Sequence, residues 1–86
     1  MHPNVPAVIR TVNYRERFET SDETITVVAI GGDLQICIVA PSGSVYISEV
    51  LAAPVAPLTC TARVINAKGV ELEFRPQAGC SFWIER

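Results

Sequence analysis

Histidine is nearly missing from this 86-residue chain, since the one imidazole is His2. Chain ends are usually mobile. Ser-His-Asp and Cys-His sets need a histidine held by the fold, so the chain is not expected to be an enzyme of that kind. Cysteine is sparse as well. Cys37, Cys60 and Cys80 are odd in number and widely spaced, with no C-x-x-C pair. Zinc ligands need closer gathering, and secreted disulfide frameworks usually have an even count. All three are expected to be buried, reduced thiols acting as small hydrophobes. Neither a metal nor a cofactor is expected. Gly31-Gly32 is too short for a phosphate loop and has no Lys-Ser or Lys-Thr after it, so it reads as a hairpin turn.

Charge is also scarce. Charged residues make up 19% of the chain and the net charge is −2. The chain as a whole has no electrostatic bias toward nucleic acid or an anionic membrane. No apolar run approaches the roughly 20 residues that span a bilayer. The opening "MHPNVPAVIR" lacks the basic-then-apolar order of a signal peptide. A cytoplasmic protein is the expectation.

What the chain does have is β pattern. Hydrophobic residues reach 49%, and they alternate or run in short blocks between turn signals. The reading is all-β: one domain, 1–86, as a small antiparallel sandwich or partly open barrel of six to seven strands. A first strand is expected near 7–14, with Arg10 among its apolar residues, which suggests an edge. The polar stretch "RERFETSDE" follows as a loop. Further strands are expected at 24–30, 34–40, 44–50, 58–65, 70–75 and 80–85. The prolines of "LAAPVAP" cannot sit in a paired central strand, so a crossover between sheets is expected there, with room for one helical turn near 48–53.

Two turns carry register information. Ala40-Pro41-Ser42-Gly43 fits a type I turn with Gly43 at positive φ. It sets Val39 against Val45, Cys37 against Ile47 and Gln35 against Glu49, with Ile38 against Tyr46 and Ile36 against Ser48 on the other face. Both faces are apolar near the turn. One of Tyr46 and Ile47 should then face the core and the other a subunit contact. Asn66-Ala67-Lys68-Gly69 reads as a second hairpin turn, with Val64 facing Leu72, Ala62 facing Phe74 and Arg63 facing Glu73. Cys60 falls on the dry face of that hairpin. The carboxylate pairs Asp22/Glu23 and Glu71/Glu73 read as solvated surface.

The candidate binding stretch is "RTVNYRERF". Arg10, Arg15 and Arg17 are interleaved with Tyr14 and Phe18. Guanidiniums can grip phosphate and aromatic faces can stack on bases. The bland alternative is a solvated strand end with the aromatics in the core. "SFWIER" places Trp83 on the face opposite Phe82 and Ile84, in a second core layer or at a contact surface, where Trp is enriched.

The stretch 22–48, "DETITVVAIGGDLQICIVAPSGSVYIS", resembles the middle of the bacterial carbon storage regulator family. Those are small, intertwined dimeric β-proteins that bind messenger RNA. The likeness covers less than a third of the chain. It implies an RNA contact through an arginine pair in the first strand and an arginine after the strand that follows Ala-Pro. In this chain Arg10 is followed by Thr11, and the later position falls near Ser48-Glu49.

The expected function is a non-catalytic binding or assembly module. It would meet itself or another protein through a sheet face, around Tyr46 and Ile47, or through the edge near 7–18. The alternative is RNA or other nucleic-acid binding through Arg10, Tyr14, Arg15 and Arg17. A small-ligand carrier with its pocket in a barrel mouth is the third reading. No membrane partner is expected.

Overall fold

A computed structural model describes residues 8–18, 24–54 and 59–85. These residues form seven strands: β1 (Tyr14–Phe18), β2 (Thr24–Ile30), β3 (Leu34–Val39), β4 (Val45–Leu51), β5 (Thr61–Asn66), β6 (Val70–Pro76) and β7 (Ser81–Glu85). They lie in two antiparallel sheets, ordered β1-β6-β3-β4 and β5-β2-β7. This is the all-β fold expected from the pattern, an antiparallel sandwich or partly open barrel of six to seven strands, with seven strands in two sheets.

The pairing follows one rule. β3 pairs with β4, β2 with β5 and β1 with β6. The segment before β1 continues the series, because Arg10 bridges Phe82 of β7. One long antiparallel hairpin, with its tip at the β3–β4 turn, has been rolled up. Its successive pairs fall alternately in the two sheets, which is the connectivity of a jelly roll.

Alternation then decides what is buried. β2 turns Ile25, Val27 and Ala29 inward, β3 turns Leu34 and Ile36, and β6 turns Leu72 and Phe74. Phe18 and Phe82 close the core from β1 and β7. Phe74 stands between Tyr14, at 6.4 Å between ring centroids, and Phe82, at 5.5 Å. It thereby joins one sheet to the other.

Several expectations need correction. Within 8–13 only Arg10 pairs, and the first full ladder runs over Tyr14–Phe18. The charged "YRERF" is a strand because it is an edge: Tyr14, Glu16 and Phe18 face inward, while Arg15 and Arg17 face water. The Asn66–Gly69 turn has Gly69 at a φ of 73°, as a tight turn requires, but it joins two sheets rather than one hairpin. β5 pairs with β2, and β6 pairs with β1 and β3. The faces of β5 are therefore reversed. Val64 points outward and is 64% exposed, whereas the inward Arg63 reaches Glu49 across the rim at 3.1 Å. Gly31-Gly32 likewise joins the sheets instead of turning a hairpin. The segment 48–51 is strand, not a helical turn.

The β3–β4 hairpin matches its expected register at the tip only. Val39–Val45, Ile38–Tyr46 and Cys37–Ile47 pair as read. A bulge at Ser48 then shifts the ladder, so Ile36 meets Glu49 and Gln35 meets Val50.

The thiols divide. Cys37 and Cys80 are buried, but Cys60 is exposed, because it precedes β5 instead of lying within a paired strand. Burial raises the thiol pKa of both buried cysteines. Arg75 offsets part of this at Cys37, and Asp33 adds to it at Cys80. An exposed thiol reacts and a buried one does not. Native protein treated with iodoacetamide should therefore gain one adduct, at Cys60, by peptide mass spectrometry. Denatured protein should gain three. Native labelling of Cys37 at a similar rate would contradict this packing.

Candidate functional site

The interleaved arginines and aromatics do not form one surface. Arg10 lies against β7, and its guanidinium sits 3.5 Å from the ring centre of Tyr14. The Tyr14 hydroxyl donates to Glu16. Arg10 and Tyr14 thus engage each other at the rim. Arg15 and Arg17 project from the opposite, outer face of β1. Trp83 is on the other sheet altogether. It is half-buried on the outward face beside Val28, and its indole N–H donates to Glu85 at 2.9 Å.

The outer face of the four-stranded sheet has two halves. The polar half lies on β1 and β6. Arg15 donates to Glu73 Oε1 through Nε at 3.0 Å and Nη2 at 2.6 Å, and Arg75 holds the other carboxylate oxygen. Arg15 also lies 3.8 Å from Glu71. Hydrogen bonds from Arg15 and then Arg75 hold the Glu73 carboxyl below its ordinary range, against the upward pull of burial. Glu73 is therefore buried and paired, not solvated, because β6 runs between β1 and β3. Pairing with Arg15 replaces the contact expected from Arg63. Asp22 and Glu23 lie outside the described residues.

The apolar half lies on β3 and β4: Cys37, Val39, Val45, Ile47 and Val50. Tyr46 and Ile47 are 58% and 57% exposed, on opposite faces. Neither is a core residue. Ile38, on the same inward face as Tyr46, is 39% exposed. Near the tip, exposed apolar side chains thus stand on both faces, while Cys37 and Val39 between them are buried. Val8, Ile9 and Val12 form a second exposed apolar run before β1.

At the tip end the two halves meet in an open groove of about 470 Å³. Arg15 and Arg17 make one wall, and Ala40, Pro41 and Gly43 make the other. Ile38, Val39, Gly69, Val70 and Glu71 line the space between. The Ala40–Gly43 turn is closed by its own backbone: Gly43 N–H donates to Ala40 O and Ala40 N–H to Ser44 O, both at 2.8 Å. Sequence reading found the turn and the arginines separately. It could not join them, because β1 reaches the turn only through its pairing with β6, far along the chain.

Among the described residues no cluster of His, Cys, Asp or Glu could hold a metal ion. No described helix is long and apolar enough to cross a membrane. Comparison with protein families, curated proteins and solved structures gives no match for this chain. The likeness of 22–48 to the carbon storage regulators gains nothing from it.

Proposed function

We propose that this domain is a non-catalytic assembly module that pairs with a second copy of itself through the β3–β4 tip. One observation carries this reading: Ile38 and Tyr46 on one face of the β3–β4 hairpin, and Ile47 and Val50 on the other, are large, apolar and exposed at the β4 end of the four-stranded sheet. Large apolar side chains left exposed on both faces of one hairpin favour an interaction site there. The contact is by side-chain faces more than by edge-to-edge backbone pairing. The Ser48 bulge interrupts β4, and bulged edges resist adding a further strand. Nucleic-acid binding draws less support, because Arg10 and Tyr14 engage each other and Arg15 is held by Glu73.

Light scattering tests the reading. At tens of micromolar the wild type should show twice the 9.3 kDa chain mass. Ile47→Arg should give a folded monomer, because Ile47 is exposed and its loss costs the core little. Tyr46→Arg should act in the same way. A wild type still monomeric at millimolar concentration would refute self-assembly.

A further inference from the structure

We infer that the outward face of the three-stranded sheet docks an arginine-bearing segment of another protein, with the guanidinium stacked on Trp83 and paired with Glu85. The register sets Ala62, Val28 and Trp83 in one row across this face, and Val64, Thr26 and Glu85 in the next. Beyond β7, Arg10 and Phe82 exchange backbone hydrogen bonds at 2.8 and 3.0 Å. Alternation then turns Ile9 to the Trp83 side. Ile9 and Val64, each 64% exposed, thus flank the half-buried indole from opposite sides. None of these residues belongs to β3 or β4, so the site is separate from the self-assembly contact and does not rest on it.

The occupant's charge is read from Glu85. Of the strand residues on this face it alone is charged. One of its carboxylate oxygens accepts the Trp83 indole N–H at 2.9 Å. That donor is neutral, so the negative charge is not offset, and a carboxylate has room for further hydrogen bonds. The same contact holds the exposed carboxylate at the edge of the ring. An aromatic face with an anion at its rim selects a cation. Guanidinium fits better than ammonium, because it is planar, stacks on aromatic faces and offers a fork of donors to a carboxylate. Ile9 and Val64 then take apolar side chains on either side of the arginine. A flat face with apolar flanks suits a protein segment, since a free small cation would leave those flanks uncovered. Nucleic acid would bring phosphates against Glu85.

Fluorescence anisotropy with a labelled hexapeptide alternating Leu and Arg tests this. It should bind, and it should shift the emission of Trp83, the one tryptophan of the chain. A Leu/Lys hexapeptide of the same charge should bind about three- to tenfold more weakly, and a Leu/Gln hexapeptide more weakly still. Glu85→Gln should weaken the Leu/Arg peptide by about three- to tenfold. The amide oxygen can still accept the indole N–H, so this variant removes the charge and keeps the ring in place. Trp83→Leu should weaken binding similarly. Glu85 is exposed, so its replacement keeps the test decisive should Trp83→Leu fail to fold. Ile47→Arg should bind the peptide as the wild type does, and loss of binding there would place the contact at the tip and overturn the inference. Equal binding of the Arg and Lys peptides would overturn it too, by reducing the contact to net charge. So would equal binding of the Leu/Gln peptide, unchanged affinity in Glu85→Gln, or no binding at millimolar peptide.

Discussion

Gly31→Ala is expected to leave the chain largely unfolded. Gly31 has a φ of 81°, and an added Cβ would stand 2.4 Å from the carbonyl oxygen of Gly79. Two separate penalties combine. The left-handed conformation costs an ordinary residue about 1–2 kcal/mol. Forcing an extra carbon into packed backbone adds about 1–3 kcal/mol. Together they reach the lower end of the roughly 4–13 kcal/mol of total stability expected for a domain of this size, where a thin core places this chain. The backbone cannot simply step aside. Gln77 N–H donates to Asp33 O at 2.9 Å, and Asp33 Oδ1 accepts from Ala53 N–H at 2.7 Å. Three connecting segments are locked together at this end of the sandwich.

Two further variants separate the penalties. Gly32 carries no left-handed strain, but its Cβ would stand 2.6 Å from Ala78 O and 2.8 Å from Cys80 N. Gly32→Ala should therefore cost about 1–3 kcal/mol. Gly43 has a φ of 94° with open space around it. Gly43→Ala should cost about 1–2 kcal/mol, from conformation alone. Urea unfolding ranks the three as Gly31 above Gly32 and Gly43. Equal losses at Gly31 and Gly43 would mean that the two corners do not touch as described.

The same glycines show what a sequence of this kind can and cannot tell. Gly43 and Gly69 were legible as turn residues, because a tight turn needs positive φ and the signal is local. Gly31-Gly32 was legible as a turn but not as an interlock, since the partner corner at 78–80 is distant in the chain. The bounds of β2 are legible from its apolar run and the Gly31-Gly32-Asp33 signal that closes it, and those of β3, β4, β6 and β7 to within a residue. β1 was not, because Glu16 occupies an inward position and hides the period. The pairing of β5 was misread for a related reason. An apolar alternation satisfies a local hairpin and a cross-sheet partner equally, and only the rolled topology decides between them. The candidate residues fared likewise. Arg15 and Arg17 do share a face, as a period of two requires. Arg10 and Tyr14 left that set once Arg10 paired with β7. Glu73, which anchors Arg15, gave no signal beyond its charge.

The second large effect is expected at Phe74. Its side chain is fully buried on the central strand β6, in contact distance of both Tyr14 and Phe82. Truncating a buried phenylalanine costs about 3–5 kcal/mol, as transfer energy plus the cavity left behind. A jelly roll this small has little means of refilling that cavity. The strands on either side are tied into ladders, and Phe82 is held from β2 and from Arg10. Phe74→Ala should therefore lower the urea midpoint far more than Tyr14→Ala, because Tyr14 is half-buried at the rim. Phe74→Leu should recover most of the loss, since a branched apolar side chain of nearly the same reach keeps the sheets apart. Trp83 lies next to Phe82 on β7 but on the outward face. Its fluorescence thus reports whether the second sheet comes undone together with the first. One transition seen by both Trp83 fluorescence and circular dichroism would show that the Phe74 contact holds the sheets as a single cooperative unit. A Phe74→Ala variant as stable as Tyr14→Ala would show that the two sheets are held together elsewhere.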